Sequence, residues 1–264
     1  MTPPQIADPP RVNHGHGRVA AVAGVLGEVL VTLGVLMGLF VVWQLWWTDV
    51  VAGRAQAQIV EDLGWQSATP APTTEPTTDP TTDPTTTPSP PAPVEHRTAA
   101  PVIAEPAHAV TFAVMYVPRW GDTAMPISEG TTKHDVLDAK GIGHYDGTAM
   151  PGAIGNFSVA GHRTTYAKPF NRIAELEVGD PIVVRTQDTW YVYRVTSSQV
   201  VKPWQTDVID PVPGTPGATP TVAMMTMTTC HPMYSAAERY IVHSELDYWM
   251  AASEGTPVEL EGKG

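Results

Sequence analysis

The chain lacks a second cysteine. Cys230 is the only one in 264 residues, so neither an intramolecular disulfide nor a Cys-x-x-Cys redox site can form. Composition otherwise suggests an exported protein, a setting in which cysteines normally pair. Cys230 is then half of an intermolecular bridge, a buried thiol packed as a small apolar residue, or a reactive nucleophile. Positive charge is also scarce: 15 Lys and Arg stand against 27 Asp and Glu, a formal charge of −12. That balance argues against nucleic acid as a partner, because phosphate binding needs a basic face. Metal-ligand spacing is missing too. There is no His-Glu-x-x-His and the nine histidines are scattered, so no metal or other cofactor is expected. Asp207 and Asp210 read as ordinary turn residues.

Long apolar runs are limited to one, from Ala20 to Trp47. Val22, Leu26, Leu33, Leu39 and Val42 make it apolar all round, and it exceeds the ~20 helical residues that cross a hydrocarbon core. Glu28 is its only charge, and Trp43, Trp46 and Trp47 form an aromatic belt at its far end. A cleaved signal peptide would need a shorter apolar core and a small-residue cleavage site directly after it. We therefore expect a retained transmembrane helix over 20–47, preceded by a cytoplasmic tail, 1–19. Arg11 and Arg18 precede the span and Asp49 follows it, though Arg54 does as well. The positive-inside rule gives a slight preference for an inside N-terminus.

Residues 48–65 read as a juxtamembrane segment, a short helix closed by Gly64. A low-complexity stretch follows. The run Thr73-Thr74-Glu75-Pro76-Thr77-Thr78-Asp79-Pro80-Thr81-Thr82-Asp83-Pro84 repeats Thr-Thr-acid-Pro. Such a segment buries too little apolar area to offset chain entropy, so 66–108 is expected as a disordered Pro/Thr-rich linker. In polyproline II form, at ~3.1 Å per residue, it would reach on the order of 100 Å.

The texture changes near residue 109. Val110 to Val117, Asn156 to Ala160, Pro181 to Arg185, Trp190 to Thr196, Val222 to Thr229 and Tyr240 to Leu246 read as strands. Asp135 to Lys140, closed by Gly141, and Pro169 to Leu176 read as short helices. Many short strands with turn signals predict an all-β sandwich or barrel over 109–264.

Three pieces of this domain carry chemistry. Ala160-Gly161-His162-Arg163 follows a strand; a Thr-rich strand ends in Cys230; Arg239 opens the next strand nine residues later. A thiol attacks only as thiolate, and a neighbouring imidazolium or guanidinium favours that form. Acyl transfer also needs donors for the oxyanion and an acid for the leaving amine. His162, Cys230 and Arg239 together would supply all of these. Arg239 alone reads equally as a surface ion pair. His231 follows Cys230 directly, but adjacent side chains on a strand point to opposite faces, which makes it a poor base. His243 lies inside a strand and reads as structural.

The domain resembles the sortases, the membrane-anchored cysteine transpeptidases of Gram-positive bacteria. Thr226-Met227-Thr228-Thr229-Cys230 matches the T-L-x-T-C signature, with Met227 in place of leucine, a volume-conserving swap. The finer pattern is similar to class E sortases of high-GC Gram-positive bacteria. It comprises Gly143-His144-Tyr145, Gly147-Thr148-Ala149, Pro151-Gly152, Gly155-Asn156-Phe157, Ala160-Gly161-His162-Arg163-Thr164, Tyr166, Pro169-Phe170, Cys230-His231-Pro232 and Glu238-Arg239.

The resemblance implies an eight-stranded β-barrel outside the cell and a single-pass anchor in the cell membrane with its N-terminus in the cytoplasm. Its expected partners are secreted proteins bearing a sorting signal and an amine of lipid II or peptidoglycan. Cys230 would attack the Thr–Gly carbonyl of the signal, His162 would exchange protons with the amines, and Arg239 would stabilise the oxyanion. Tyr145 and Thr229 are the expected substrate contacts. Class E sortases prefer L-A-x-T-G to L-P-x-T-G, a choice linked to the tyrosine at position 145. Its hydroxyl could bond the N–H that alanine has and proline lacks. Tyr145 also reads as a packed aromatic at the barrel mouth. Two alternatives stand beside the wall-anchoring enzyme: a pilus-polymerising sortase using a pilin lysine, and a non-enzymatic wall-spanning binding module.

Overall fold

The computed structural model describes residues 15–65, 94–121 and 123–261. Helix α1 runs Gly15–Asp62. From Ala20 it is long and apolar enough to cross a membrane. Side chains such as Val22, Leu26, Leu33 and Leu39 are exposed, and an apolar stretch with such side chains unburied on every side is suited to lipid. The expected juxtamembrane helix continues α1 without a break. It ends as the spacing predicts, with Gly64 in the left-handed region at φ 66°. Contacts divide the chain into two compact units, residues 1–47 and 48–264.

The second unit is a closed barrel, as expected. Its strands are β1 Thr111–Tyr116, β2 Met125–Glu129, β3 Ile142–His144, β4 Gly155–Gly161, β5 Pro181–Arg185, β6 Thr189–Val201, β7 Ala223–His231 and β8 Glu238–Ala251. They close in the order β1-β2-β3-β4-β7-β8-β6-β5. Two neighbouring pairs are parallel, β2 with β3 and β4 with β7. Parallel strands need a crossover rather than a tight turn. Between β2 and β3 the crossover is a π-helical turn, Lys133–Leu137, running into the short helix α2, Asp138–Lys140.

Alternation along each strand sorts side chains into an interior and an outer wall. Met115, Ile127, Phe157, Val159, Ile182, Val184, Tyr191, Tyr193, Met225 and Met227 fill the interior. Tyr193 accepts the Gly152 N–H at 2.8 Å on its hydroxyl. Gly152 has φ 79°, and a Cβ there would lie 2.4 Å from the Tyr191 ring, so only glycine fits. On the outer wall, the β6–β7 connection packs Val208 onto Val201 and Ile241. Asn156 holds that connection by donating to the carbonyls of Val208 and Asp210, at 3.3 and 3.0 Å.

Three features depart from the expectation. Strands β2 and β3 were not anticipated. β2 is buried at every position, so it shows no alternation, and β3 has only three residues. The expected helix at Pro169–Leu176 is a series of turns with one 3-10 turn, Ile173–Glu175. The linker ends sooner than residue 108. Residues 66–93 lie outside the described residues, but 94–108 pack on the barrel. His96 exchanges backbone hydrogen bonds with Trp249 at 2.8 and 3.0 Å, Tyr191 donates to Pro101 O at 2.7 Å, and Ala100 and Ile103 cover the core. A Pro-rich segment is already extended, so a few apolar side chains suffice to seat it.

Candidate active site

Strand β7 lies between β4 and β8, and this order assembles the site. The parallel register pairs Ala160 with Thr228. Continued past the ladder, it sets Gly161 beside Thr229 and His162, the first residue after β4, beside Cys230. Thr229 supports that continuation by donating its hydroxyl to Gly161 O at 2.7 Å. On the other side, Cys230 pairs directly with Arg239 of β8. Met225 and Met227 point into the barrel, so Thr226, Thr228 and Cys230 take the opposite face of β7. Directly paired residues share a face, which puts Arg239 on the face of Cys230.

Cys230 is a free, half-buried thiol. Arg239 donates from Nη1 to the carbonyls of Ala236 and Glu238, at 3.0 and 2.9 Å, and so folds back over the chain that leads into β8. Tyr145, one residue past β3, hydrogen-bonds through its hydroxyl to Thr228 Oγ1 at 2.9 Å. That contact sets it on the wall of Cys230, two residues back along β7. Thr229 is only 3 % exposed and its hydroxyl is spent on Gly161, so the structure gives it the work of tying two strand ends together.

The histidines divide cleanly. His162 Nε2 lies 2.7 Å from Asp138 Oδ1 of α2. His231 still belongs to β7, and its Nδ1 accepts from Arg163 Nη1 at 2.7 Å. It is therefore occupied by a cation rather than available as a base. His243 is buried between Thr226 Oγ1, at 2.9 Å, and Gln199, at 3.1 Å, and burial lowers its pKa below the usual imidazole range. His144 Nδ1 meets Glu129 at 2.8 Å. Burial pushes the Glu129 carboxyl up, against the opposing pull of His144. Among the described residues, no group of three or more His, Cys, Asp or Glu side chains could hold a metal ion.

Residues 115–247 match the sortase domain. The chain belongs to the sortase family. It is 36 % identical over 252 residues to sortase SrtE1 of Streptomyces coelicolor, covering 92 % of this chain but only 62 % of that protein. The chain thus spans about three-fifths of that relative's length. It is 33 % identical over 241 residues to SrtE2 of the same organism, covering 87 % of this chain and 84 % of that one. Among solved structures, the SrtA sortase of Actinomyces oris superposes with a TM-score of 0.61 at 43 % identity, covering 65 % of this chain and 99 % of that one. Sortase E1 of Streptomyces coelicolor, solved with a tripeptide in its active site, gives 0.54 at 41 % identity, covering 58 % and 97 %. These relatives set this sortase in class E.

Two side chains at the sortase site were given no role by the sequence. Asp138 lies 24 residues before His162, inside a helical turn with nothing to mark it. Arg163 stands in a recognised motif, but its role is visible only in the fold. It is 7 % exposed, donates to Cys230 O at 3.3 Å as well as to His231, and lies over the Tyr240 ring at 5.4 Å. This buried guanidinium braces the backbone on which the thiol is mounted.

Proposed function

We propose that this sortase is a membrane-anchored cysteine transpeptidase that cuts a C-terminal sorting motif of the L-A-x-T-G or L-P-x-T-G kind between threonine and glycine. What supports the reading is one observation: the parallel β4–β7 register and the β7–β8 pairing set His162, Cys230 and Arg239 on neighbouring strand ends. The thiolate of Cys230 attacks the threonine carbonyl, and a C–S bond forms as the carbonyl electrons move to oxygen. Arg239 stabilises that oxyanion. As the tetrahedral intermediate collapses, the C–N bond breaks and His162 gives its proton to the glycine amine. An incoming amine then attacks the thioester, His162 takes its proton, and Cys230 leaves as thiolate. The acceptor is an amine of lipid II or peptidoglycan. Tyr145 contacts the residue before x in the motif, where a backbone N–H distinguishes alanine from proline. The apolar part of α1 anchors the enzyme with its N-terminus in the cytoplasm and its barrel outside.

The test is intact-mass spectrometry of the full chain in detergent, incubated with an L-A-x-T-G or an L-P-x-T-G peptide. A covalent adduct equal to the peptide cut after threonine, absent in Cys230→Ala, is the expected result. A preference for the alanine peptide should fade in Tyr145→Phe. No adduct with either peptide, while the thiol remains open to alkylation, would overturn the proposal.

A further inference from the structure

An imidazole exchanges protons productively only when its ring is held in one orientation and one nitrogen is left free. Two structural features hold His162. The first is Asp138, whose Oδ1 lies 2.7 Å from His162 Nε2. The two side chains are only 9 % and 19 % exposed, so the bond is shielded from water. A carboxylate can only accept here, which makes Nε2 the protonated nitrogen and leaves Nδ1 for exchange with the amines. Asp138 is fixed in turn: Lys133 Nζ donates to its Oδ2 at 3.1 Å, and His134 Nδ1 lies 3.5 Å away.

The second feature is Tyr166, whose ring lies 5.2 Å from the imidazole at 32°. Tyr166 opens a run of three non-glycine residues in the left-handed region, with Ala167 and Lys168, at φ 53°, 63° and 43°. Such a residue persists only where its surroundings impose it. Local backbone bonds hold part of the run, with Lys168 N donating to Thr165 O at 2.9 Å and Asn171 N to Lys168 O at 3.0 Å, and two further contacts reach it from α1. Gln56 Nε2 donates to Tyr166 O at 3.2 Å, and Lys168 Nζ pairs with Asp49 at 2.9 Å. Gln56 is 6 % exposed. Its other side packs beneath Gly141, the residue that closes α2, where a Cβ would come within 2.9 Å of it. One residue of the juxtamembrane helix therefore touches both the turn that carries Asp138 and the loop that carries Tyr166.

We propose that Asp138 is a positioning residue that fixes the ring and tautomer of His162, and that Gln56 braces the two elements around it, making the juxtamembrane helix a working part of the enzyme. The proposal rests on the role of His162 given above. Asp138 and Gln56 touch no reacting atom; they act through His162. The proton that His162 gives to the leaving amine departs from Nδ1, while the Nε2 proton stays on Nε2, donated in a hydrogen bond to the Asp138 carboxylate.

The experiment uses the full chain in detergent micelles, as wild type, Asp138→Ala, Asp138→Asn and Gln56→Ala. The tautomer of His162 is read by nitrogen-15 NMR, with the signal assigned by its loss in His162→Gln. Acylation by the sorting peptide is read as kcat and KM. The wild type should show the Nε2–H form. Asp138→Ala should mix the tautomers and lower kcat ~10–100-fold with KM within about twofold. In Asp138→Asn the amide oxygen can still accept, so the tautomer should hold and kcat should fall to an intermediate value. This variant also serves if the alanine variant does not fold. Gln56→Ala should lower kcat ~3–10-fold, again without a KM change. An unchanged tautomer in Asp138→Ala, or losses confined to KM, would overturn the proposal. If the wild type forms no acyl-enzyme, the proposed function fails, while the tautomer still decides whether Asp138 orients His162.

Discussion

Thr229 donates its hydroxyl to the carbonyl of Gly161 at 2.7 Å. Gly161 immediately precedes His162 and Thr229 immediately precedes Cys230, so this bond ties the backbone beside His162 to the backbone beside Cys230. It lies just past the last ladder pair of β4 and β7, where strand ends would otherwise fray.

Thr229→Val keeps the shape of the side chain and removes the donor. The Gly161 carbonyl is then left buried without that partner. A loss of ~1 kcal/mol is expected from one such bond, measured by chemical denaturation. Acylation should slow several-fold with KM unchanged. A variant as fast and as stable as wild type would show that the strand ends need no tie.

Gly161→Ala tests the same junction by crowding. A Cβ at 161 would lie 2.9 Å from the Phe170 ring, and Phe170 is completely buried, so the ring has nowhere to go. Overpacking of this kind costs ~1–3 kcal/mol. The melting temperature should fall, and the displaced loop should carry His162 out of register with Cys230, with acyl-enzyme formation falling further than stability.

Arg239→Lys probes the cation opposite the thiol. Nη1 alone makes both carbonyl bonds, which leaves the other guanidinium N–H groups for an oxyanion, and a single ammonium nitrogen cannot divide its work in that way. Acylation should fall ~10²–10³-fold, the usual loss when one oxyanion donor is removed. Alkylation of Cys230 by a small reagent should persist. Full transpeptidation in Arg239→Lys would assign the oxyanion to other donors.

The acid limb of stability should carry the signature of His243. Its folded pKa is lowered by burial, so as pH falls the unfolded chain takes up that proton first. Its contribution to stability is therefore complete above the unfolded value of ~6.5 and is lost as pH drops through the lower folded value. Thr226 gives its proton to Asn156 Oδ1, so His243 Nδ1 donates to Thr226 and Nε2 accepts from Gln199; protonation falls on Nε2 and breaks the Gln199 bond. Denaturation midpoints should decline between about pH 7 and 5, less steeply in His243→Gln. Equal slopes in the two proteins would assign that limb to other groups.

Much of the fold was legible because the longer strands alternate. The expected strand at Pro181–Arg185 was found at those residues, and the strand expected at Val222 to Thr229 falls on β7, Ala223–His231. β2 and β3 were not legible, since a fully buried five-residue strand and a three-residue strand have no period to detect. The packing of residues 94–108 was hidden for a different reason. Proline and alanine report an extended chain, but not whether a surface such as Trp249 and Tyr191 waits to receive it.

The sequence by itself determined the single cysteine, the apolar span, and the motifs around His162, Cys230 and Arg239, because residue identity and local spacing are properties of the chain. The tertiary structure decided which of these meet and what supports them. The β4–β7 register brings together residues 68 positions apart, the Asp138–His162 bond closes across a crossover, and Gln56 reaches Tyr166 across 110 residues. No local pattern encodes such contacts. They exist only once the barrel has closed, because closure fixes which strand ends are neighbours and which side chains point to the same wall.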